Sequence, residues 1–588
     1  MSKIPTNEQN IIINEKSGRF AVRACPGSGK TFSVAARLNR FLKKWEHAHQ
    51  GIATISFTNV AWKEIEKYLQ SDFGVEFPGY PHFLRTIDSF INTYIFLPFA
   101  HLVMGCQERP VLCGPPIDNY EPIGHPPYFW NSYQCYRRCK LNDFSFNSND
   151  EFIKIKKNTV ITECRYNQHM PCLTYKKRFN ESGYATQHDA NYFALQVVKK
   201  YPSIAEALAI RFPVIMIDEA QDTSSVQMEI INSLINKGLK ELMLIGDPDQ
   251  AIYEWRTAEP ALFIQKFEEW VDNSTELHEN KRSSQKICDF VSVISSYENM
   301  SASNEEVAAF EQAPEIWEYQ NEDELQELKE KFIEHCKELG IKEKDIAILT
   351  RGREILNKIV AGTETTYGIS PWKDGSDEDK RLSYLTIGLA KSRYLYDKGN
   401  YKNALKYLER EYWKWLYNQS ICKPSDLREK YEEVGLSNWR SDLFEMIVSM
   451  PKSDCSLSQW ILDANNKIQS FDNLKNVELK IKRNSRSCNY SNLTFDETFG
   501  RKQLSSNVDE CFLGTVHSAK GETFEAVMLV IKKNDGNRKK YSNTLEENIK
   551  DYEELRIIYV GMTRPCRVLV LVVPSQSVNI WKTKFNIK

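Results

Sequence analysis

The amino-acid sequence predicts an α/β fold of two parallel-sheet cores, each interrupted by an inserted, mostly helical subdomain. Three observations lead there. Short apolar runs of strand length alternate with helical patterns near both ends of the chain, as expected of strands buried on both faces of a parallel sheet. At 588 residues the chain is too long for one hydrophobic core; at about 100–200 residues per domain it divides into roughly three to five units. Two long stretches then break the alternation and carry no run of buried strands.

In chain order, Phe20–Arg23 reads as a strand, Ala24–Thr31 as a Gly-rich turn and Phe32–Lys44 as a helix. Ile52–Phe57 is a second strand, followed by a helix through Tyr68. Val214–Ile217 and Leu242–Ile245 are further buried runs, each ending in acidic and small residues. The pattern returns in Asp345–Thr350, Ala526–Ile531 and Val568–Val573. These runs assign residues 1–90 and 188–280 to a first core, and 281–365 and 508–588 to a second. The insertion at 91–187 is rich in Tyr, Asn, Cys and Pro; that at 366–507 reads as helical pieces such as Tyr401–Tyr417 joined by polar linkers.

Composition narrows the class. With 27% charged and 41% hydrophobic residues the chain is neither disordered nor collagenous. A balance of 77 basic and 79 acidic residues excludes a globally basic nucleic-acid wrapper but leaves room for a local basic track. The apolar run Val568–Val573 is far short of the roughly 20 residues of a membrane span, and Met1–Phe20 has no signal-peptide core. The expectation is a cytoplasmic protein with no membrane partner. Of the 14 cysteines, Cys106, Cys113, Cys135, Cys139, Cys164 and Cys172 cluster near His101, His125 and His169. Cys135-x₃-Cys139 offers two thiolates to a zinc or iron–sulfur site, but no second close pair completes a set, so reduced packing thiols are the expectation.

Ala24-Cys-Pro-Gly-Ser-Gly-Lys-Thr31 stands at a strand-to-helix junction. There the amides of Gly27, Ser28 and Gly29 can converge on phosphate oxygens, aided by the helix N-terminus. Lys30 would neutralise the β/γ-phosphates and the Thr31 hydroxyl would ligate Mg²⁺. Val214-Ile-Met-Ile-Asp-Glu-Ala-Gln-Asp222 supplies the complement: Asp218 to hold the metal, Glu219 to polarise the attacking water. The bland alternative, an acidic loop capping the next helix, fits poorly beside a phosphate loop, since both carboxylates follow a fully apolar strand. ATP and Mg²⁺ are the expected cofactors.

From residue 9 to 564 the sequence resembles the superfamily 1 helicases of the UvrD/Rep/PcrA type, motif by motif and in family order. Gln9 looks like the adenine-reading glutamine; Ser56-Phe-Thr-Asn59 and Thr86-Ile-Asp-Ser-Phe90 resemble motifs Ia and Ib. Gly246-Asp-Pro-Asp-Gln-Ala-Ile-Tyr-Glu-Trp-Arg256 is close to motif III, and Asn280-Lys-Arg-Ser283 resembles motif IV. Thr515-Val-His-Ser-Ala-Lys-Gly521 resembles motif V, and Tyr559-Val-Gly-Met-Thr-Arg564 motif VI. The resemblance implies two RecA-like cores of the P-loop NTPase class. It has Gln250, Arg282 and Arg564 converging on the γ-phosphate, as suits permanently charged, planar guanidiniums. It also implies a single-strand channel lined by Phe57, Asn59, Ser89, Tyr253, Trp255, Arg256, Thr515 and His517. Aromatic faces there would stack on any base without reading sequence; for His517 a base contact and a local hydrogen bond weigh equally.

Departures from the family pattern accompany the match. Lys281 stands where an adenine-stacking aromatic is usual, leaving Phe32 as the candidate stacker. Gly521-Glu-Thr-Phe524 replaces the usual Gly-Leu-Glu-Phe, putting Thr523 where a nucleotide-contacting Glu is expected. Segment 131–180 holds ten basic and four acidic residues, a local charge of +6 with aromatics interleaved, and is expected to grip DNA phosphates.

The resemblance therefore implies a DNA-stimulated ATPase and helicase moving 3′ to 5′ on single-stranded or tailed DNA, in DNA repair or anti-phage defence. Gly521-Glu-Thr and Met562-Thr-Arg-Pro565 are similar to the helicase-like partners of OLD-family nucleases in Gabija defence, which implies a nuclease partner in a hetero-oligomeric complex. No carboxylate–lysine nuclease constellation follows residue 564. The contrasting expectation is a non-processive, nucleotide-gated DNA-end sensor that recruits or regulates a nuclease without unwinding. A small-molecule P-loop kinase is disfavoured by the aromatic residues of Gly246–Arg256.

Overall fold

The computed structural model describes residues 4–113, 143–155, 159–162, 171–253, 257–297, 299–359, 371–372, 376–419, 422, 424–482, 490–499, 511–533 and 544–587. The chain divides into two compact units, one formed by residues 1–112, 136–362 and 504–588, the other by 113–135 and 363–503.

The first unit holds two parallel sheets. β1 (Arg19–Ala24), β2 (Ile52–Ser56), β3 (Phe83–Thr86), β4 (Val214–Ile217), β5 (Glu241–Gly246) and β6 (Thr275–Leu277) form a six-stranded sheet in the order β6-β1-β5-β4-β2-β3, with every pairing parallel. β7 (Glu315–Tyr319), β8 (Ile346–Thr350), β9 (Phe512–Thr515), β10 (Phe524–Val530) and β11 (Pro565–Pro574) form a second sheet in the order β7-β11-β10-β8-β9, again all parallel. Alternate residues of one strand serve opposite faces. Phe20, Val22 and Ala24 enter one apolar cluster with Val34 and Leu38 of the Lys30–Lys43 helix. Ala21 enters another with Ile55 and Ile217. This is the two-sided burial that apolar, β-branched runs anticipate.

The seven strands expected from sequence are the seven interior ones. The four not anticipated, β3, β6, β7 and β9, are the four sheet edges. Each leaves most of its side chains at least partly exposed, so sequences such as Thr275-Glu-Leu277 and Glu315-Ile-Trp-Glu-Tyr319 carry no continuous apolar signature.

The first insertion differs from expectation at its start and in its content. Ile91, Ile95, Phe96, Ala100 and Met104 pack into the first core's cluster, so the helical run beyond residue 90 belongs to that core by packing. Its described remainder includes an antiparallel sheet of Phe144–Phe146, Phe152–Lys154 and Thr159–Val160 beside the Pro171–Glu181 helix. Short Phe-Ser-Phe and Phe-Ile-Lys alternation suits strands rather than helices.

The second unit is helical. The helices Asp377–Asp397, Tyr401–Tyr417, Leu436–Ser449 and Leu457–Ile468 surround their own core, with Tyr412, Trp415, Trp439 and Trp460 at its centre. The first is set by a capping box in which Ser376 and Asp379 satisfy each other's backbone amides. Among the described residues no helix is long and apolar enough to cross a membrane.

Candidate active site

In a parallel α/β sheet, ligand-binding loops gather at the carboxyl ends of the strands. Here the phosphate loop follows β1, Asp218 and Glu219 follow β4, and the Asp247–Gln250 turn follows β5, three adjacent strands. Phe57 follows β2, and Ser89 stands three residues beyond β3, on the neighbouring side of the same edge.

Gly27 (φ +71°) and Gly29 (φ +75°) take left-handed conformations that open the loop ahead of the Lys30–Lys43 helix. A Cβ on Gly27 would collide with the Asn280 side chain and lie 2.8 Å from the Arg282 Cβ, while one on Gly29 would lie 2.5 Å from Gln9 Nε2. The loop thus admits glycine alone where the next elements close over it. Gln9 is buried; its Nε2 donates to the Ser28 carbonyl (2.8 Å) and its Oε1 accepts from Thr6 N (3.0 Å) and Lys281 Nζ (2.9 Å). Lys281, in place of the usual aromatic, thus bonds the glutamine side chain. Phe32 is 3% exposed, with its ring packed on Tyr68 and Phe73. With its ring so covered, it has almost no free face for the stacking role expected from sequence.

Lys30 Nζ lies 3.5 Å from the Ala24 carbonyl, inside the loop it follows. The Thr31 hydroxyl donates to Asp218 Oδ2 at 3.1 Å. Burial, with Glu219 adjacent, pushes the Asp218 carboxyl up to about 7. Burial alone would raise Glu219 as well, but Lys30 and Lys520 outweigh it and hold that carboxyl below its ordinary value. Glu219 stands at φ +57°, a left-handed backbone that costs a non-glycine residue about 1–2 kcal/mol. Gln221 Nε2 holds its Oε2 at 2.6 Å, and Gln221 Oε1 accepts from Asp247 N at 3.0 Å. A buried carboxylate beside a hydroxyl, with a second carboxylate adjacent, is a hard-oxygen set that fits Mg²⁺, whose charge would relieve the crowding of negative groups.

The second core closes on this assembly with cations. Arg564 Nη2 donates to Gln250 Oε1 at 2.9 Å, and Gln250 Nε2 donates to Asp247 Oδ2 at 2.5 Å. Arg282 Nη1 donates to the Thr563 carbonyl at 3.0 Å. Burial and the neighbouring Arg282 lower Arg564 to about 9, and burial lowers Arg282 as well. Among the described residues neither guanidinium makes a salt bridge with a carboxylate. Two desolvated cations facing a phosphate loop form a site for an anion.

The expected DNA-facing residues lie at the adjoining loops. Asn59 is exposed, with its Oδ1 accepting from Trp62 Nε1 (3.1 Å), and Phe57 is half-buried. The Ser89 hydroxyl lies 2.8 Å from that of Thr86, and Thr515 caps the turn Val516–Ala519. The His517 ring is 6.1 Å from that of Tyr253, and its Nε2 is 3.1 Å from the Ile252 carbonyl, which can only accept, so the ring carries its proton there. Trp255 and Arg256 lie outside the described residues, as do Cys135, Cys139 and Cys164. Cys106 is partly exposed and Cys113 and Cys172 are buried, and no group of three or more His, Cys, Asp or Glu among the described residues is arranged to hold a metal. One member of the basic segment is corrected: Lys176 is fully buried and paired with Asp189 at 2.7 Å, so it cannot meet a phosphate. Lys177 and Arg178 are exposed.

Several residues of the assembly were not singled out from sequence. Lys520 Nζ donates to Asp222 Oδ2 (2.6 Å) and to the Gln250 carbonyl (3.0 Å). Arg556 Nε donates to the Ala251 carbonyl (2.8 Å), and Asp249 accepts from Ser295 and Ser296 of the second core. All stand within or next to matched motifs. Only Arg556 carried a signal, a charged side chain in the otherwise apolar Leu555-Arg-Ile-Ile558.

Comparison with known proteins agrees with this arrangement. The family model of the UvrD/REP helicase N-terminal domain matches residues 5–103 and 134–272, and that of the UvrD-like helicase C-terminal domain matches 426–576. The Gabija protein GajB of Bacillus cereus (strain VD045) is 28% identical over 266 residues, 45% of this chain and 43% of that protein. The exonuclease/helicase subunit RexA of Lactococcus lactis subsp. cremoris (strain MG1363) is 29% identical over 223 residues, 32% of this chain and 18% of that protein. RexA of Streptococcus pneumoniae serotype 4 is 30% identical over 118 residues, 19% of this chain and 10% of that protein. The match thus spans less than half the length of each of these relatives. With both halves of the family pattern present on two parallel-sheet cores, the chain belongs to the UvrD-like helicases of superfamily 1.

Proposed function

We propose that this chain is a DNA-stimulated, Mg²⁺-dependent ATPase that moves 3′ to 5′ along single-stranded DNA and opens tailed duplexes. It would act beside a nuclease partner in anti-phage defence or DNA repair. One observation carries the reading: Gln250, on the first core, is held by Arg564 through its side chain and by Lys520 through its carbonyl, both from the second. A change at the γ-phosphate is thereby felt by both cores.

In this reading the phosphate-loop amides and Lys30 orient the triphosphate. Glu219, kept ionised by Lys30 and Lys520, accepts the proton of the attacking water. Arg282 and Arg564 face the charge that builds on the transferred phosphoryl group. Mg²⁺, held by Thr31 and Asp218, would neutralise phosphate oxygens. Tyr253 and Phe57 offer aromatic faces to bases, and exposed Lys177 and Arg178 offer charge to the backbone. Support for a nuclease partner comes from the two RexA relatives, whose names join helicase to exonuclease, and from the likeness to GajB.

The test is strand separation of a 3′-tailed and a 5′-tailed duplex with ATP, by the wild type and by Lys30→Ala. The expected result is ATP-dependent opening of the 3′-tailed substrate that Lys30→Ala lacks. DNA-stimulated hydrolysis without opening of either substrate overturns the helicase reading in favour of a nucleotide-gated DNA-end sensor.

A further inference from the structure

We infer that Lys520 is a positioning residue that ties the Tyr253 ring to the hydrolytic carboxylates, so that a base bound at Tyr253 alters the rate at Glu219. This rests on the DNA-stimulated ATPase reading above. The Lys520 side chain is 6% exposed and its ion-pair partner Asp222 is 1% exposed. From that one buried position the ammonium makes three contacts. It donates to Asp222 Oδ2 at 2.6 Å, three residues after Glu219. It donates to the Gln250 carbonyl at 3.0 Å, on the residue whose side chain Arg564 holds. It lies 4.6 Å from the centroid of the Tyr253 ring, within cation–π reach.

Neighbouring basic side chains of the second core are placed differently. Arg556 bonds the Ala251, Ile549 and Lys550 carbonyls, Arg564 reaches the Gln250 side chain, and His517 reaches the Ile252 carbonyl. Asp222 is also incompletely satisfied: its Oδ1 is buried without a hydrogen-bond partner among the described residues. Both hydrogen-bond acceptors of Lys520 are therefore on the first core while its stem belongs to the second. A shift of Tyr253 under a stacked base must move the ammonium, and the ammonium cannot move without disturbing Asp222 and Gln250. Desolvated charges of this kind are costly to leave unpaired, which makes the position sensitive to small displacements.

A plain clasp between cores would also hold Lys520 here, so the test is a double-mutant cycle in the hydrolysis rate. ATP turnover stimulated by oligo-dT is measured for the wild type, Lys520→Met, Tyr253→Ala and the double variant. Each single change is expected to reduce the stimulated rate by about tenfold, and the double change by about the same factor, since both cut one path. A double variant reduced by roughly the product, about a hundredfold, overturns the assignment, as does a Lys520→Met enzyme stimulated like the wild type. Asp222→Asn, which breaks the pair from the other side, is expected to be non-additive with Tyr253→Ala as well. An additive Asp222→Asn/Tyr253→Ala pair overturns the assignment even where Lys520→Met does not fold, as judged by circular dichroism. Absence of DNA stimulation in the wild type would instead remove the functional reading on which the inference rests.

Discussion

The two cores of the first unit bring opposite charges to one site. The first core contributes four buried carboxylates, Asp218, Asp222, Asp247 and Asp249, and the half-buried Glu219, with Lys30 among them. The second core and the loop entering it contribute Arg282, Lys520, Arg556 and Arg564. Each half is electrostatically incomplete. Burial, opposed by Lys30, holds Asp247 up to about 7, while burial and Arg282 draw Arg564 down to about 9. Neither core therefore holds a finished site, and the cations of the second core suit the phosphates of ATP.

The largest expected break in this partition is the loss of a second-core arginine. Arg564→Ala or Arg282→Ala should lower the ATP turnover number by about 10³–10⁵, while binding of a fluorescent ATP analogue persists, since the phosphate loop is untouched. Removing the base on the other side comes next. Glu219→Gln should lower turnover by about 10²–10⁴ and leave single-stranded DNA affinity, measured by anisotropy, within a few-fold of wild type. A strand-facing change should be milder. Tyr253→Ala forfeits about 1–3 kcal/mol of stacking, seen as a weaker oligo-dT dissociation constant in a titration.

The smallest effect is on stability, and its sign follows from the carboxylates. Asp247 has an ordinary value of 3.8 and is raised to about 7 in the fold, as Asp218 is. Between those values the folded nucleotide-free protein binds protons that the unfolded chain does not, so stability falls as pH rises through that window. The thermal midpoint without nucleotide should therefore be higher at about pH 5 than at about pH 8. Asp247→Asn should flatten the slope. A midpoint that climbs over this range would show that the cations of the second core dominate.

How much of this was legible in the sequence depended on where a residue sits in its sheet. Val214–Ile217 and Val568–Val573 are buried on both faces and announce themselves as unbroken apolar runs. Phe512–Thr515 is an edge strand with one neighbour, and its half-exposed sequence needs no such run. The same holds at the site. Residues fixed by local spacing, Gly27 to Thr31 and Asp218-Glu219, were visible at once, because the strand–loop–helix that positions them is continuous in sequence. Lys520 pairs with Asp222 from 298 residues away, and no local pattern encodes that distance. Phe32 misled for a related reason: next to Thr31 in sequence, its ring is covered by Tyr68 and Phe73 of the Asn59–Phe73 helix. Lys176 looked like one more surface cation until its partner Asp189, on the following helix, was in place.

The most direct measurement is steady-state ATP hydrolysis by the wild type and by Lys30→Ala, each with and without oligo-dT. A nucleotide site shared by the two cores and coupled to a strand channel predicts hydrolysis by the wild type that single-stranded DNA accelerates, and none above background in Lys30→Ala. Turnover that ignores DNA, or that survives the loss of Lys30, would contradict it.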